Sequence, residues 1–157
     1  MAPEQEIYEN AVRVLEGCRP LSGLGSRFGY NRESVEWLDG HIERLRGSGA
    51  LGDEEQIRNL AAIFGCFLGE CLRANCGGVW RDRDGAWGVF FPDGSGAFPL
   101  GKVRKQFDSG REGGDSILQF FDFVEALVSG RVVEAEDLRQ ASLRKRVRAT
   151  LGRWFAR

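Results

Sequence analysis

Between Leu60 and Gly69 the chain runs through ten residues without a polar side chain: Leu-Ala-Ala-Ile-Phe-Gly-Cys-Phe-Leu-Gly. Read as a helix, this stretch is apolar on every side, and such a helix belongs at the centre of a core with other elements packed around it. Asp53 is placed to cap its start, with Gln56 three residues on as in a capping box. Gly77-Gly78 supplies the left-handed residue that closes a helix. The strands Val79–Arg83 and Ala86–Phe91 follow, joined by Asp84-Gly85, a two-residue type I′ turn signal. That turn pairs Arg83 with Ala86, Asp82 with Trp87, Arg81 with Gly88, Trp80 with Val89 and Val79 with Phe90. Trp80, Trp87, Val89 and Phe91 then share a face assigned to the core, while Arg81, Arg83, Ala86 and Gly88 share a more open one. A lone hairpin is marginal in water, so this one must lean on the central helix.

The flanking segments read as helices around that centre. Ile7, Tyr8, Ala11, Val12 and Leu15 form a helical stripe from Pro3 to Glu16, and Pro20 is expected to forbid its continuation. Asn31 caps a second helix reaching Arg46, with Val35, Leu38, Ile42 and Leu45 inward. Pro92-Asp93-Gly94 marks a turn, Gly96–Phe98 a short third strand, and Leu100–Phe107 a helix. Asp108-Ser109-Gly110 reads as a further turn. Asp115 is expected to cap a helix to Ser129 whose stripe is Ile117, Phe120, Phe121, Val124, Leu127 and Val128. A basic helix over about 134–156 presents Leu143, Val147, Leu151, Trp154 and Phe155 on one side. These elements predict one α+β domain over residues 1–157, with five to six helices around an antiparallel meander of two or three strands; the central helix and hairpin occupy 54–98.

Length and composition agree with one soluble domain: 157 residues, 42% hydrophobic and 29% charged. The longest apolar run is far short of the roughly 20 residues of a membrane span. The acidic N-terminus lacks the basic and apolar regions of a signal peptide, which predicts a cytoplasmic chain with Cys18, Cys66, Cys71 and Cys76 as free thiols. Arginine outnumbers lysine 19 to 3, a bias that suggests a GC-rich bacterial source. Charge is unevenly placed. Residues 131–157 hold eight basic and three acidic side chains, net +5, and residues 1–130 hold 14 basic and 20 acidic, net −6.

Few residues are arranged for chemistry. Gly23-x-Gly25 lacks the third glycine of a dinucleotide fingerprint, Phe28 standing in its place. Gly96–Lys102 has the spacing of a phosphate loop, but Val103 replaces the magnesium-binding hydroxyl and Pro99 interrupts the amide cradle. His41 is the single histidine, set mid-helix without a nucleophile motif nearby. Cys66, Cys71 and Cys76 are five apart and point about 140° away from one another on a helix, so they cannot share a metal. No metal or cofactor is implied. Glu70 is the charged residue inside the most apolar stretch, where a carboxylate needs a partner. An ion pair with Arg73 or a hairpin arginine is the structural reading, and a functional carboxylate is the alternative.

The series Gly65-x-x-Leu68-Gly69-Glu70-x-Leu72, Gly77-Gly78-x-Trp80, hairpin, Phe98-Pro99, Val103, Lys105 and Asp115-Ser116-Ile117 resembles a loose group of uncharacterised bacterial domains with a helix–Gly-Gly-x-Trp–hairpin–Phe-Pro–helix layout. The likeness spans about Ile57 to Val124, and the group has no assigned activity. Some members look like immunity or antitoxin proteins, which implies a module that occludes a toxin partner. On that reading the turn aspartates Asp82, Asp84, Asp93, Asp108 and Asp115 are the candidate contacts to a basic protein target. Two other readings stand beside it. One is a small enzyme using Glu70 with Arg81 or Arg83. The other is nucleic-acid binding through Arg139, Arg144, Lys145, Arg146, Arg148 and Arg153 on the basic helix, although no aromatics are interleaved with those arginines for stacking.

Overall fold

In a computed structural model that describes residues 3–130, helices α1 (Pro3–Ser22), α2 (Arg32–Gly47) and α3 (Glu54–Cys76) come first, with a single 3-10 turn at Gly25–Arg27. Strands β1 (Val79–Arg83), β2 (Ala86–Phe90) and β3 (Gly96–Ala97) follow as an antiparallel sheet in the order β1-β2-β3, and then come α4 (Pro99–Ser109) and α5 (Ile117–Val128). The fold is α+β, with five helices around a small meander among the described residues. The expected basic helix at 134–156, and with it Arg139, Arg144, Lys145, Arg146, Arg148 and Arg153, lies outside the described residues.

Helix α3 is the axis, in contact with α1, α2, α4, α5 and β2. Every residue from Phe64 to Leu72 is buried, as an all-round apolar helix requires. Asp53 accepts a hydrogen bond from the Gln56 N–H at 3.0 Å, and Gly77 ends the helix at φ 75°, a conformation that favours glycine. Two further glycines set how closely other elements approach. A Cβ on Gly65 would sit 2.6 Å from the Leu100 Cα, and one on Gly69 would collide with the Trp80 ring. The first turn of α4 and the indole of β1 therefore lie directly on the helix backbone.

The hairpin has the expected register at all five pairs, because the Asp84-Gly85 turn with both residues at positive φ allows no other. Trp80, Val89 and Phe91 are buried on the face toward α3. The opposite face is less open than expected. Gly88 is buried, and a Cβ there would meet the Phe98 ring and the Ala97 carbonyl at 2.9 Å. Phe98 also packs edge-on against Phe90, at 5.9 Å between centroids. Arg81 and Arg83 remain exposed beyond this cover.

Three helices differ from the expectation. Helix α1 continues through Pro20 to Ser22, since a proline in the last turn forfeits a single backbone bond and the end is tied by Ser22 Oγ donating to the Arg19 carbonyl at 2.8 Å. Its buried row is Ile7, Ala11, Val14 and Cys18, which leaves Tyr8 56% exposed. Helix α4 runs on to Ser109, so Asp108 is helical rather than in a turn. Ser116, not Asp115, caps α5 by accepting the Gln119 N–H at 3.2 Å, because Asp115 is engaged in a buried ion pair with Lys102.

The glycine contacts predict opposite signs for two alanine substitutions. Gly69→Ala overpacks the α3–Trp80 contact and should cost about 1–3 kcal/mol. Gly101→Ala, on α4 with nothing within 4 Å of the new Cβ, should stabilise by roughly 0.5–1 kcal/mol. Urea denaturation midpoints of the two variants check both.

Candidate functional site

Glu70 sits on α3 one residue beyond the Gly69 notch and is 7% exposed. Because the Trp80 ring fills that notch, its indole Nε1–H is directed at the helix and donates to Glu70 Oε1 at 3.2 Å. Arg73, one turn further on, donates to the same oxygen at 3.4 Å. Among the described residues no group donates to Glu70 Oε2. The carboxylate forms part of the wall of a surface pocket of about 240 Å³, together with Glu4, Tyr8, Arg73, Val79 and Trp80. Nearby, Tyr30 Oη is a buried polar atom without a hydrogen-bond partner among the described residues. Burial, and then the charge of Glu70, push the Tyr30 phenol up to about 12.

The structure does not join Glu70 to a hairpin arginine. Arg81 and Arg83 are exposed, and neither lines the pocket that Glu70 does. The partner of Glu70 is Arg73, the helical neighbour.

The five aspartates do not form one surface. Asp82 accepts the Gly85 N–H at 2.8 Å, shaping the hairpin turn near Asp84. Asp93 accepts from the Ser95 N–H and Oγ in the next turn, at the other end of β2. Five strand residues separate these turns, about 17 Å at the usual rise. Asp108 pairs with Arg104 at 3.0 Å, and Asp115, 6% exposed, pairs with Lys102 at 2.8 Å. Asp115 is therefore unavailable to a partner, and Asp82, Asp93 and Asp108 already hold local hydrogen bonds.

A second polar cluster escapes the sequence reading. Asp39 is 1% exposed; its Oδ1 accepts from Ser116 Oγ at 2.7 Å and from the Leu118 N–H at 3.3 Å, and its Oδ2 accepts from the Arg111 guanidinium. Gln106, fully buried, donates to the Asp39 carbonyl and to Glu43 Oε1, and accepts the Ile117 N–H at 2.9 Å. Burial raises the Glu43 carboxyl, but hydrogen bonds from Gln106, the Arg111 N–H and Arg46 outweigh it, and the group titrates below the usual range. The available signal is an acid at position 39 within the stripe Val35, Leu38, Ile42, the same anomaly that marks Glu70. Its donors lie more than 60 residues away in sequence.

The remaining candidates have structural roles. Phe28 fills the core, stacked on Phe67 at 5.5 Å, and Lys102 is buried against Asp115 rather than offered to a phosphate. Pro99 starts α4 as a first-turn proline. Burial pushes the Cys66 and Cys76 thiols up to about 11 and Cys71 well above its ordinary value, which disfavours the reactive thiolate. Among the described residues no group of three or more His, Cys, Asp or Glu is placed to hold a metal, and no helix is long and apolar enough to cross a membrane. Two wider depressions, of about 380 and 400 Å³, lie over the Glu43–Arg46 and Arg32–Asp122 pairs, whose charges already face each other. Comparison with protein-family models, curated proteins and solved structures finds no match.

Two predictions follow the geometry of these groups. Asp39→Ala strands the buried Ser116 hydroxyl and the part-buried Leu118 N–H, while the half-exposed Arg111 can turn to water, a loss of about 1–3 kcal/mol for each stranded donor. Arg32→Ala breaks only exposed pairs, with Asp122 and with Glu36, and should cost about 1 kcal/mol or less; denaturant titration of both variants separates the cases. His41 stacks on Trp37 at 4.7 Å, and burial followed by the nearby Arg44 charge lowers its pKa. The unfolded chain therefore takes up this proton first, and stability should fall as pH drops below about 6.5 toward the lower folded value. That segment of the pH–stability curve should flatten in His41→Phe.

Proposed function

We propose that this chain is a protein-binding module that occludes its partner with the face carrying Tyr8, Val79 and the Glu70 pocket. One observation carries the reading. Of the large hydrophobic side chains strongly exposed among the described residues (Tyr8 at 56%, Leu21 at 68% and Val79 at 48%), two flank the same pocket. An exposed aromatic and an exposed aliphatic residue beside a concavity form the kind of anchor site that concentrates binding energy in protein interfaces. The pocket, at about 240 Å³, is smaller than the roughly 300–1,000 Å³ of small-molecule sites. It suits one inserted side chain better than a whole substrate or cofactor.

The resemblance to immunity-like bacterial domains supports a toxin as the occluded partner. The net charge of −6 over residues 1–130 favours a basic one, through steering and charge complementarity. The contact surface moves from the turn aspartates to the α1–α3–β1 face. The enzymatic alternative loses support, because the hairpin arginines do not line the pocket of Glu70.

The product of the adjacent gene, co-expressed with this chain, is the partner to try first. The complex should survive purification, and Tyr8→Ser with Val79→Ser should weaken it at least tenfold, whereas Leu21→Ser leaves it unchanged. A complex indifferent to the double substitution would overturn the assignment of this face.

A further inference from the structure

We infer that the Glu70 pocket receives the cationic end of an arginine or lysine side chain from the partner protein. The inference rests on the binding face proposed above and names what that face selects.

The charge of the pocket supports a cation. Its lining holds two carboxylates, Glu4 and Glu70, against one guanidinium, Arg73, a net of −1. Glu70 is the deep acid. Its Oε1 takes both the Trp80 indole and Arg73, and its Oε2 has no donor among the described residues. A carboxylate oxygen that opens onto a pocket and is not already engaged by the protein can accept from an incoming charged donor, which makes a stronger hydrogen bond than a neutral one. The Arg73 contact is long at 3.4 Å, and the Arg73 side chain is 48% exposed, so that guanidinium can shift toward solvent when a second cation enters.

The walls match the rest of such a side chain. Tyr8 and Trp80 are aromatic and Val79 is aliphatic. Aromatic surfaces attract cations, and the aliphatic stem of an arginine or lysine packs on apolar side chains while its head reaches the acid. Trp80 cannot withdraw, because its ring is seated in the Gly69 notch and its N–H is held by Glu70. The acceptor is therefore positioned before any partner arrives, which reduces the ordering cost of binding. An anionic guest would displace water from the Glu70 carboxylate without replacing its hydrogen bonds, and a neutral guest can donate to it but brings no counter-charge.

The test uses side-chain mimics on the full chain, followed through the Trp80 indole N–H signal in a proton–nitrogen NMR spectrum and assigned by its loss in Trp80→Phe. n-Propylguanidinium and n-butylammonium should shift that signal saturably in the millimolar range, while n-butanol and butyrate should not. Glu70→Gln keeps an acceptor for the indole but removes the charge, and should weaken cation binding at least tenfold. Glu4→Gln, an exposed substitution with no folding risk, should weaken it about two- to threefold. Equal responses to butanol and the cations, or cation binding unaltered in both variants, would overturn the inference. If the cations fail to bind while the Tyr8 and Val79 substitutions still break the protein complex, only the cation assignment falls. If the cations bind as described and the complex ignores those substitutions, the binding face is wrong and the pocket is a cation site of another kind.

Discussion

The absence of side chains at Gly65 and Gly69 on α3 governs how the other elements meet. With no Cβ at these positions, the backbone at Leu100 and the ring of Trp80 rest against the helix itself. Apolar cores are packed near crystal density, so this close approach cannot be recovered elsewhere once it is blocked. The sheet and α4 are thus seated on the axis by two absent side chains, and the Trp80 N–H arrives at Glu70 as a by-product of that seating. Packing and polar positioning are here one event.

The molecule holds two buried acids in opposite conditions. Asp39 is saturated: a hydroxyl and a backbone amide meet one oxygen and a guanidinium meets the other. Glu70 has donors on one oxygen only and stands in the wall of a pocket. A carboxylate whose lone pairs are all engaged contributes to the specificity of the fold. One with an oxygen left without a donor has capacity for a ligand. The number of donors that reach each acid, rather than the extent of its burial, separates the structural site from the one proposed to bind.

What could be read in the sequence was local chemistry. Asn31 and Asp53 cap their helices because each side chain needs only an amide three residues away. Asp84-Gly85 sets five strand pairs through one turn geometry. The misreadings arise where a distant partner decides. Asp115 and Ser116 are adjacent and equally fit to cap α5, and it is Lys102 that takes the aspartate. On α1 the rows Ile7-Ala11-Val14 and Tyr8-Val12-Leu15 are both apolar, and the orientation of α1 against α3 selects the first. The turn aspartates were visible, but not that Asp82 and Asp93 would bond to their own turns. Glu70 was legible as an anomaly, while its link to Tyr8 and Val79 depends on three elements meeting.

The Asp39–Gln106–Ser116 cluster has a consequence for how the chain becomes a protein. Its bonds join residues 39 and 43 to residues 106–118, bracketing α3 and the whole sheet between their ends. Neither half of the sequence can satisfy its buried polar groups alone: the first half carries the acids, the second their donors. A chain that has emerged only through the hairpin holds the acids but neither their donors nor α4, which packs on the axis. Satisfying Asp39 requires the segment from Gln106 to Leu118, and a fragment ending before it would leave Asp39 charged, partly enclosed and without a partner from the second half.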